Sequence, residues 1–118
     1  MKLNYITFMV RDIEKTIDFY QNFIGLKLIR RFNPGMGEIA FMANSEDETN
    51  LEFIQFENVP KVELTGVTFS FKVNENLEEL HAIAASKGYN PTNIINHPPK
   101  SAHFKVNDPD GVEVELSL

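Results

Sequence analysis

The feature that most restricts the fold of this chain is an internal repeat. Displacing the sequence on itself by 63 residues lays Tyr5-Ile6-Thr7-Phe8-Met9-Val10 on Thr68-Phe69-Ser70-Phe71-Lys72-Val73, apolar at every second position in both. In the same register, without a gap, Gly25 falls on Gly88, Phe41 on Phe104, Asn44 on Asn107, Asp47 on Asp110, and Leu51-Glu52 on Val114-Glu115. Chance supplies one such match easily. It does not easily supply a strand pattern, a helix-ending glycine and an acid on a closing strand together. A solenoid needs three or more repeats to bury a continuous core, so two copies imply a duplicated unit folded face to face.

Each copy reads as βαβββ. An alternating segment (3–10, then 67–73) precedes a helical period in both. In the first copy Asp12 is placed as an N-cap, and Ile13, Ile17, Tyr20 and Ile24 recur at i, i+4, i+7 and i+11. In the second, Asn76 with Glu79 has capping-box spacing, and Leu77, Leu80 and Ala84 carry the stripe. Gly25 and Gly88 stand where a left-handed residue ends a helix at low cost. Strands at 27–32, 39–43 and 51–56 complete copy one. A weak strand at 93–95 and strands at 102–106 and 112–118 complete copy two. The prolines of Asn96-His97-Pro98-Pro99-Lys100 bar that segment from helix and central strand. The expected fold is α+β: two βαβββ modules forming curved mixed sheets around a concave site, with the helices on the outer face. Residues 1–118 would form a single domain, with module one at about 1–59, a connector at 60–65 and module two at about 66–118.

Composition removes several function classes. The 118 residues suffice for one self-supporting core, and 42% hydrophobic with 24% charged residues is globular composition. There is no cysteine, which excludes disulfides, a thiolate nucleophile and Cys-ligated metal sites. A net charge of −6 argues against a phosphate-binding surface, so no nucleic-acid partner is expected. No apolar run is long enough to span a bilayer, and Met1 leads into a strand without the apolar core of a signal peptide. No membrane partner is expected either; the expected location is cytoplasmic and the expected partner a small molecule.

Strand parity sorts the residues by face. Asp108-Pro109-Asp110-Gly111 has the residues of a type I turn followed by a left-handed glycine. That turn makes Asn107 face Glu113, Lys105 face Glu115 and His103 face Ser117, every one polar. Phe104, Val106, Val112, Val114, Leu116 and Leu118 alternate with them and belong to the helix side. The open face of copy two then carries Thr68, Ser70, Lys72, His103, Lys105 and Glu115. By the repeat, that of copy one carries Tyr5, Thr7, Met9, Ala40, Met42, Glu52, Ile54 and Phe56. A lone polar hairpin face is most simply a solvated sheet surface. Two acids, Glu52 and Glu115, at equivalent places on the closing strands of a duplicated concave sheet favour a site. His81 on the helix and His97 in the proline loop are expected to be surface residues.

The residues Phe8-Met9-Val10-Arg11-Asp12-Ile13-Glu14-Lys15-Thr16-Ile17-Asp18-Phe19-Tyr20, the exit Gly25-Leu26-Lys27-Leu28, and Asn107-Asp108-Pro109-Asp110-Gly111-Val112-Glu113-Val114-Glu115-Leu116 carry a resemblance. With them the chain resembles the vicinal oxygen chelate superfamily of glyoxalase I, bleomycin-resistance proteins, fosfomycin-resistance enzymes and extradiol dioxygenases. The likeness spans essentially the whole chain and implies a fold rather than one reaction. In glyoxalase I-like members, a residue on the first strand and one on the last strand of each unit hold a divalent metal, typically His and Glu. Those positions here are Tyr5, Glu52, Thr68 and Glu115: both Glu match and neither His does.

Two carboxylates alone make a weak, hard-oxygen site, and a phenol or a neutral hydroxyl adds little. His103, on the same face, is a further candidate ligand beside Glu52 and Glu115. Lys105 opposite Glu115 would compete with a cation. A divalent metal is therefore an open cofactor, with its identity unknown.

Two principal readings follow from the resemblance. One is a glyoxalase-like lyase or isomerase with Glu115, Glu52 and Lys105 as catalytic candidates. A carboxylate would take a proton α to a carbonyl while Lys105, Lys72 or Tyr5 stabilised the enolate. The other is a metal-free small-molecule-binding or antibiotic-sequestering protein of the bleomycin-resistance kind. Its ligand would lie against Tyr5, Thr7, Met42, Ile54, Phe56, Thr68, Ser70, Lys72 and His103. A regulatory domain with a vestigial pocket is a third. The changed metal set argues against true glyoxalase I activity, and the missing His pair argues against ring cleavage. The resemblance also implies a homodimer.

Overall fold

The alternating segments become strands and the 3.6-period segments helices, in a computed structural model that describes residues 1–74 and 76–118. The order is β1 (Tyr5–Met9), α1 (Ile13–Asp18) running into a π-helical turn (Phe19–Phe23), β2 (Lys27–Phe32), β3 (Gly37–Ala43) and β4 (Asn50–Phe56). Then come β5 (Thr68–Lys72), α2 (Leu77–Ser86), β6 (His103–Asn107) and β7 (Glu113–Ser117). The chain gathers into two units, Met1–Val62 and Glu63–Leu118. The α+β class expected from the sequence is the one observed. Among the described residues, no helix is long and apolar enough to cross a membrane.

In the first unit the sheet order is β1-β4-β3-β2, with β1 parallel to β4 and the other pairs antiparallel. Asp12 caps α1 by accepting from the Lys15 amide, and Gln55 Oε1 of β4 accepts from the Ile13 amide at 2.8 Å. The helix then widens: the Ile24 amide reaches the Phe19 carbonyl, and the Leu26 amide reaches that of Tyr20. One extra residue per turn rotates the stripe. Phe19, Tyr20 and Phe23 are therefore buried, while Ile24, expected on the stripe, is only half-buried. Phe53 packs between Phe8 and Tyr20, at ring centroid distances of 5.5 and 4.8 Å. Gly37 opens β3 at a φ of 138°, and a side chain there would lie 2.1 Å from the Gln55 carbonyl oxygen.

The second unit is a three-stranded sheet, β5-β7-β6, with β5 parallel to β7. The β6–β7 register is the expected one: Asn107 opposite Glu113, Lys105 opposite Glu115, His103 opposite Ser117. Asp108 closes the turn, its Oδ1 accepting from the Asp110 and Val112 amides. Asn76 caps α2 through the Glu78 and Glu79 amides. The strand expected at 93–95 shrinks to one bridge, Ile95 with His103. What holds that segment instead is Thr92, bonded to Lys105 through backbone and side chain, and His81, which donates from Nε2 to the Thr92 carbonyl at 3.0 Å. The His81 ring also meets Phe104 edge-on at 5.2 Å. His81 is thus half-buried and structural rather than a free surface residue.

The repeat is not gap-free. Thr7 pairs with Glu52 and Ser70 with Glu115, which keeps the 63-residue spacing for the parallel pairs. Across the hairpins, Glu52 pairs with Phe41, eleven positions back, whereas Glu115 pairs with Lys105, ten positions back. The connection between β3 and β4 therefore holds one more residue, and a one-residue slip exchanges the two faces of a strand. Phe41 and Ile39 lie on the Glu52 face. Ala40 and Met42, expected there, pair with Phe53 and Leu51 on the helix side and are completely buried.

Candidate functional site

The polar network is built on the face of the second sheet turned away from α2. In the parallel β5–β7 pair, Thr68 stands beside Glu113 and Ser70 beside Glu115. Each hydroxyl donates to its neighbour: Thr68 Oγ1 to Glu113 Oε1, and Ser70 Oγ to Glu115 Oε1 at 2.7 Å. Lys105 is across from Glu115 in register, yet its ammonium pairs with Glu113 at 3.2 Å. The Thr68 hydrogen bond and then Lys105 hold the Glu113 carboxyl below its ordinary range.

Glu115 takes its cation from elsewhere. The loop ahead of β6 brings Lys100 Nζ to 2.9 Å from Glu115 Oε2, and His103 Nε2 lies 3.9 Å from the same oxygen. Glu115 is 6% exposed and His103 7%. Burial alone would raise the Glu115 carboxyl, but Ser70, Lys100 and His103 together bring it below its ordinary value. A carboxylate held in its charged form is a poor general base, because abstracting a proton near neutral pH calls for a raised pKa. Lys72, opposite Ser117 in register, is exposed.

On the first unit, the face of Glu52 is more aromatic. Thr7 Oγ1 donates to Glu52 Oε1. Tyr5 meets Phe41 edge-on at 5.4 Å, Phe32 stacks on Phe41, and the Arg30 guanidinium lies 4.5 Å from the Phe32 centroid. Ile54 and Ile39 are paired and buried beside them. Tyr5, Arg30 and Phe41 border a hollow of about 300 Å³. Phe56 lies elsewhere, lining a larger hollow of about 940 Å³ with Arg11, Arg31 and Lys61. There Arg31 is paired with Glu14 and Glu38, which raise its pKa.

The expected site residues of the second unit thus fall into two neighbouring clusters on one face: Ser70 and His103 around Glu115, and Thr68 and Lys105 around Glu113. Tyr5, Thr7, Glu52 and Ile54 share the face of the first. Met42 leaves the site for the core. Lys100, Arg30, Phe32 and Phe41 are the residues the sequence did not single out. For Phe41 and Phe32 the missing signal was the extra residue in the β3–β4 connection. For Lys100 it was the path of a loop, which strand parity does not address.

The divalent metal that the glyoxalase I resemblance implies does not fit this donor set. Thr68 is committed to Glu113, Tyr5 packs on Phe41, and both Glu115 oxygens have partners in Ser70 and Lys100. Among the described residues, no three His, Cys, Asp or Glu side chains are grouped as metal ligands. A phenol and an alcohol in place of two imidazoles also remove the nitrogen donors that borderline transition metals favour.

A family model described as the Glyoxalase/Bleomycin resistance protein/Dioxygenase superfamily matches residues 2–116. A lactoylglutathione lyase of Neisseria meningitidis serogroup A is 27% identical in an alignment covering 98% of this chain and 89% of its own. Among solved structures, an antibiotic binding protein from Streptomyces sp. CB03234 matches with a TM-score of 0.74 and 22% identity, over 99% of this chain and 94% of that one. The trypanothione-dependent glyoxalase I of Leishmania major matches with a TM-score of 0.78 and 21% identity, over 99% and 86%. At such identities the structural likeness speaks for the fold.

Proposed function

The chain belongs to the glyoxalase/bleomycin resistance protein/dioxygenase superfamily, and we propose that within it the chain is a small-molecule-binding protein that works without a divalent metal. One observation carries this reading: Glu115, the family's ligand position on the last strand, is buried and neutralised from within the chain by Lys100. The Lys100 side chain is 59% exposed, so its ammonium keeps donors for an oxygen of the ligand after Glu115 has taken one. On the first unit, Tyr5, Phe41 and Phe32 suit a flat apolar ring, as aromatic faces do. In this reading the protein is a cytoplasmic homodimer, and light scattering on eluting protein should give twice the mass of one chain.

Metal analysis of untagged protein, followed by a thermal-shift screen, tests the proposal. The expected result is substoichiometric metal, no stabilisation by Ni²⁺, Zn²⁺ or Mg²⁺, and stabilisation by one or more bulky organic ligands, with bleomycin among those tried. Stoichiometric metal that disappears in Glu52→Ala would sink it.

The lyase reading keeps one specific support, the near full-length match to a lactoylglutathione lyase. Under the present proposal, formation of S-lactoylglutathione from methylglyoxal and glutathione stays at background with or without added Ni²⁺ or Zn²⁺.

A further inference from the structure

His103 is arranged as a metal-binding imidazole is, but a lysine stands at the carboxylate it faces. Its Nδ1 lies 2.8 Å from the Ser101 carbonyl oxygen, which can only accept, so Nδ1 carries the proton. The lone pair of the neutral ring is then on Nε2. A backbone carbonyl fixing the tautomer and orientation in this way is the usual support behind a metal-ligating histidine. Nε2 is aimed at Glu115 Oε2, 3.9 Å away. An ion with ligand distances of about 2.0–2.2 Å would bridge two such atoms after a small closing movement. Ser70 engages the other oxygen, Oε1, and so leaves Oε2 free of hydroxyl competition. What occupies Oε2 is Lys100 Nζ at 2.9 Å.

The two side chains are of unlike character. Glu115 and His103 are buried and fixed by neighbours, whereas Lys100 is exposed and arrives on a loop. With the ammonium in place the pair carries no net charge, so a dication must displace a cation to gain the carboxylate. Without it, the same position offers one negative charge and one imidazole nitrogen, a combination suited to Zn²⁺ or Ni²⁺.

We propose that Lys100 is this chain's tethered substitute for a divalent cation, and that Glu115 and His103 form a dormant metal half-site which the ammonium keeps closed. The inference rests on the metal-independent reading above and deepens it. It names the group that makes metal dispensable and the residues that would take metal back.

The test is Zn²⁺ and Ni²⁺ titration of untagged protein against a chelating indicator. Wild type, Lys100→Met, Lys100→Gln, Lys100→Arg, and Lys100→Met combined with Glu115→Gln are compared. Removing a unit charge this close to the site should tighten binding at one ion per chain by about tenfold or more in the Met and Gln variants. Lys100→Arg should remain at the wild-type level, and Glu115→Gln should abolish the gain. The ¹⁵N resonance of His103 Nε2 should move with Zn²⁺ only in the Met and Gln variants. Affinities within twofold of wild type in both of those variants overturn the inference, as does a gain that survives Glu115→Gln. Wild-type protein that already holds stoichiometric metal through Glu115 overturns the metal-independent reading itself, an outcome distinct from either.

Discussion

Glu52 and Glu115 begin from the same place and end in different surroundings. Each is central on the strand that pairs in parallel with the first strand of its unit, and each accepts from a hydroxyl on that strand, Thr7 or Ser70. Glu52 is half-buried on a face it shares with Tyr5, Thr7, Phe41 and Arg30 among others. Glu115 is sealed beside Lys100 and His103. The difference originates one hairpin away. In the first unit, β2 runs six residues along β3 and the chain turns back promptly at Asn33 to Met36. In the second, the corresponding strand is reduced to Ile95, and the seven residues 96–102 return to His103 along a path that lays Lys100 over the sheet. Where the first unit has an edge strand, the second has a loop that supplies a cation. Equivalent positions in a duplicated fold therefore share geometry without sharing chemistry, because the chemistry is completed by a connection that differs between the two copies.

The strongest way to break this comparison concerns which side of β3 faces the core. Met42→Lys places a charge among completely buried residues and should cost about 3–5 kcal/mol in urea denaturation. Phe41→Lys, on the opposite side, should cost about 1 kcal/mol. Equal costs would mean that the two hairpins share one register after all. The two acids come next. Glu115→Ala removes an acceptor with two partners and should cost about 1–2 kcal/mol at pH 7, against about 0.5 kcal/mol or less for Glu52→Ala.

The acid limb sharpens the same contrast. The Glu115 carboxyl sits below its ordinary value of 4.5 in the folded chain, with burial opposing and Ser70 and Lys100 prevailing. Its contribution is therefore complete above about pH 4.5 and is lost as the pH falls through the folded value. Glu115→Gln should flatten the fall of stability below that point, as followed by thermal melts at stepped pH; an unchanged slope would remove Glu115 from the account. The smallest effect belongs to the segment that replaced the edge strand. His81→Ala should cost about 1 kcal/mol and speed amide exchange at Thr92 and Ile95 while leaving β2 amides unaffected.

Periodicity made most of this fold legible. Asp12 and Asn76 cap the helices as their spacing indicates, and the Asp108 turn sets the β6–β7 register residue by residue. The failures occurred where one residue is added to a regular pattern. A π-helical turn exchanged Phe23 for Ile24, and the longer β3–β4 connection exchanged Phe41 for Met42. Neither insertion alters composition, and each costs too little in local propensity to mark the sequence. The carboxylates were legible because they repeat. Lys100 was not, since its reach to Glu115 depends on how a loop folds back, and the prolines beside it say only what that loop is not.

The extra residue between β3 and β4 also means that the two halves have ceased to be interchangeable parts. Exchanging β3 for β6 at the 63-residue offset, without the longer β3–β4 connection, would set Ala40 and Met42 in the places of His103 and Lys105 and so turn the buried side of the strand outward. Sequence exchange between the copies, the process that keeps duplicated segments alike, would be penalised by that single insertion. The halves differ accordingly: where the first has the strand Lys27–Phe32, the second has one bridge at Ile95 and a loop that carries Lys100.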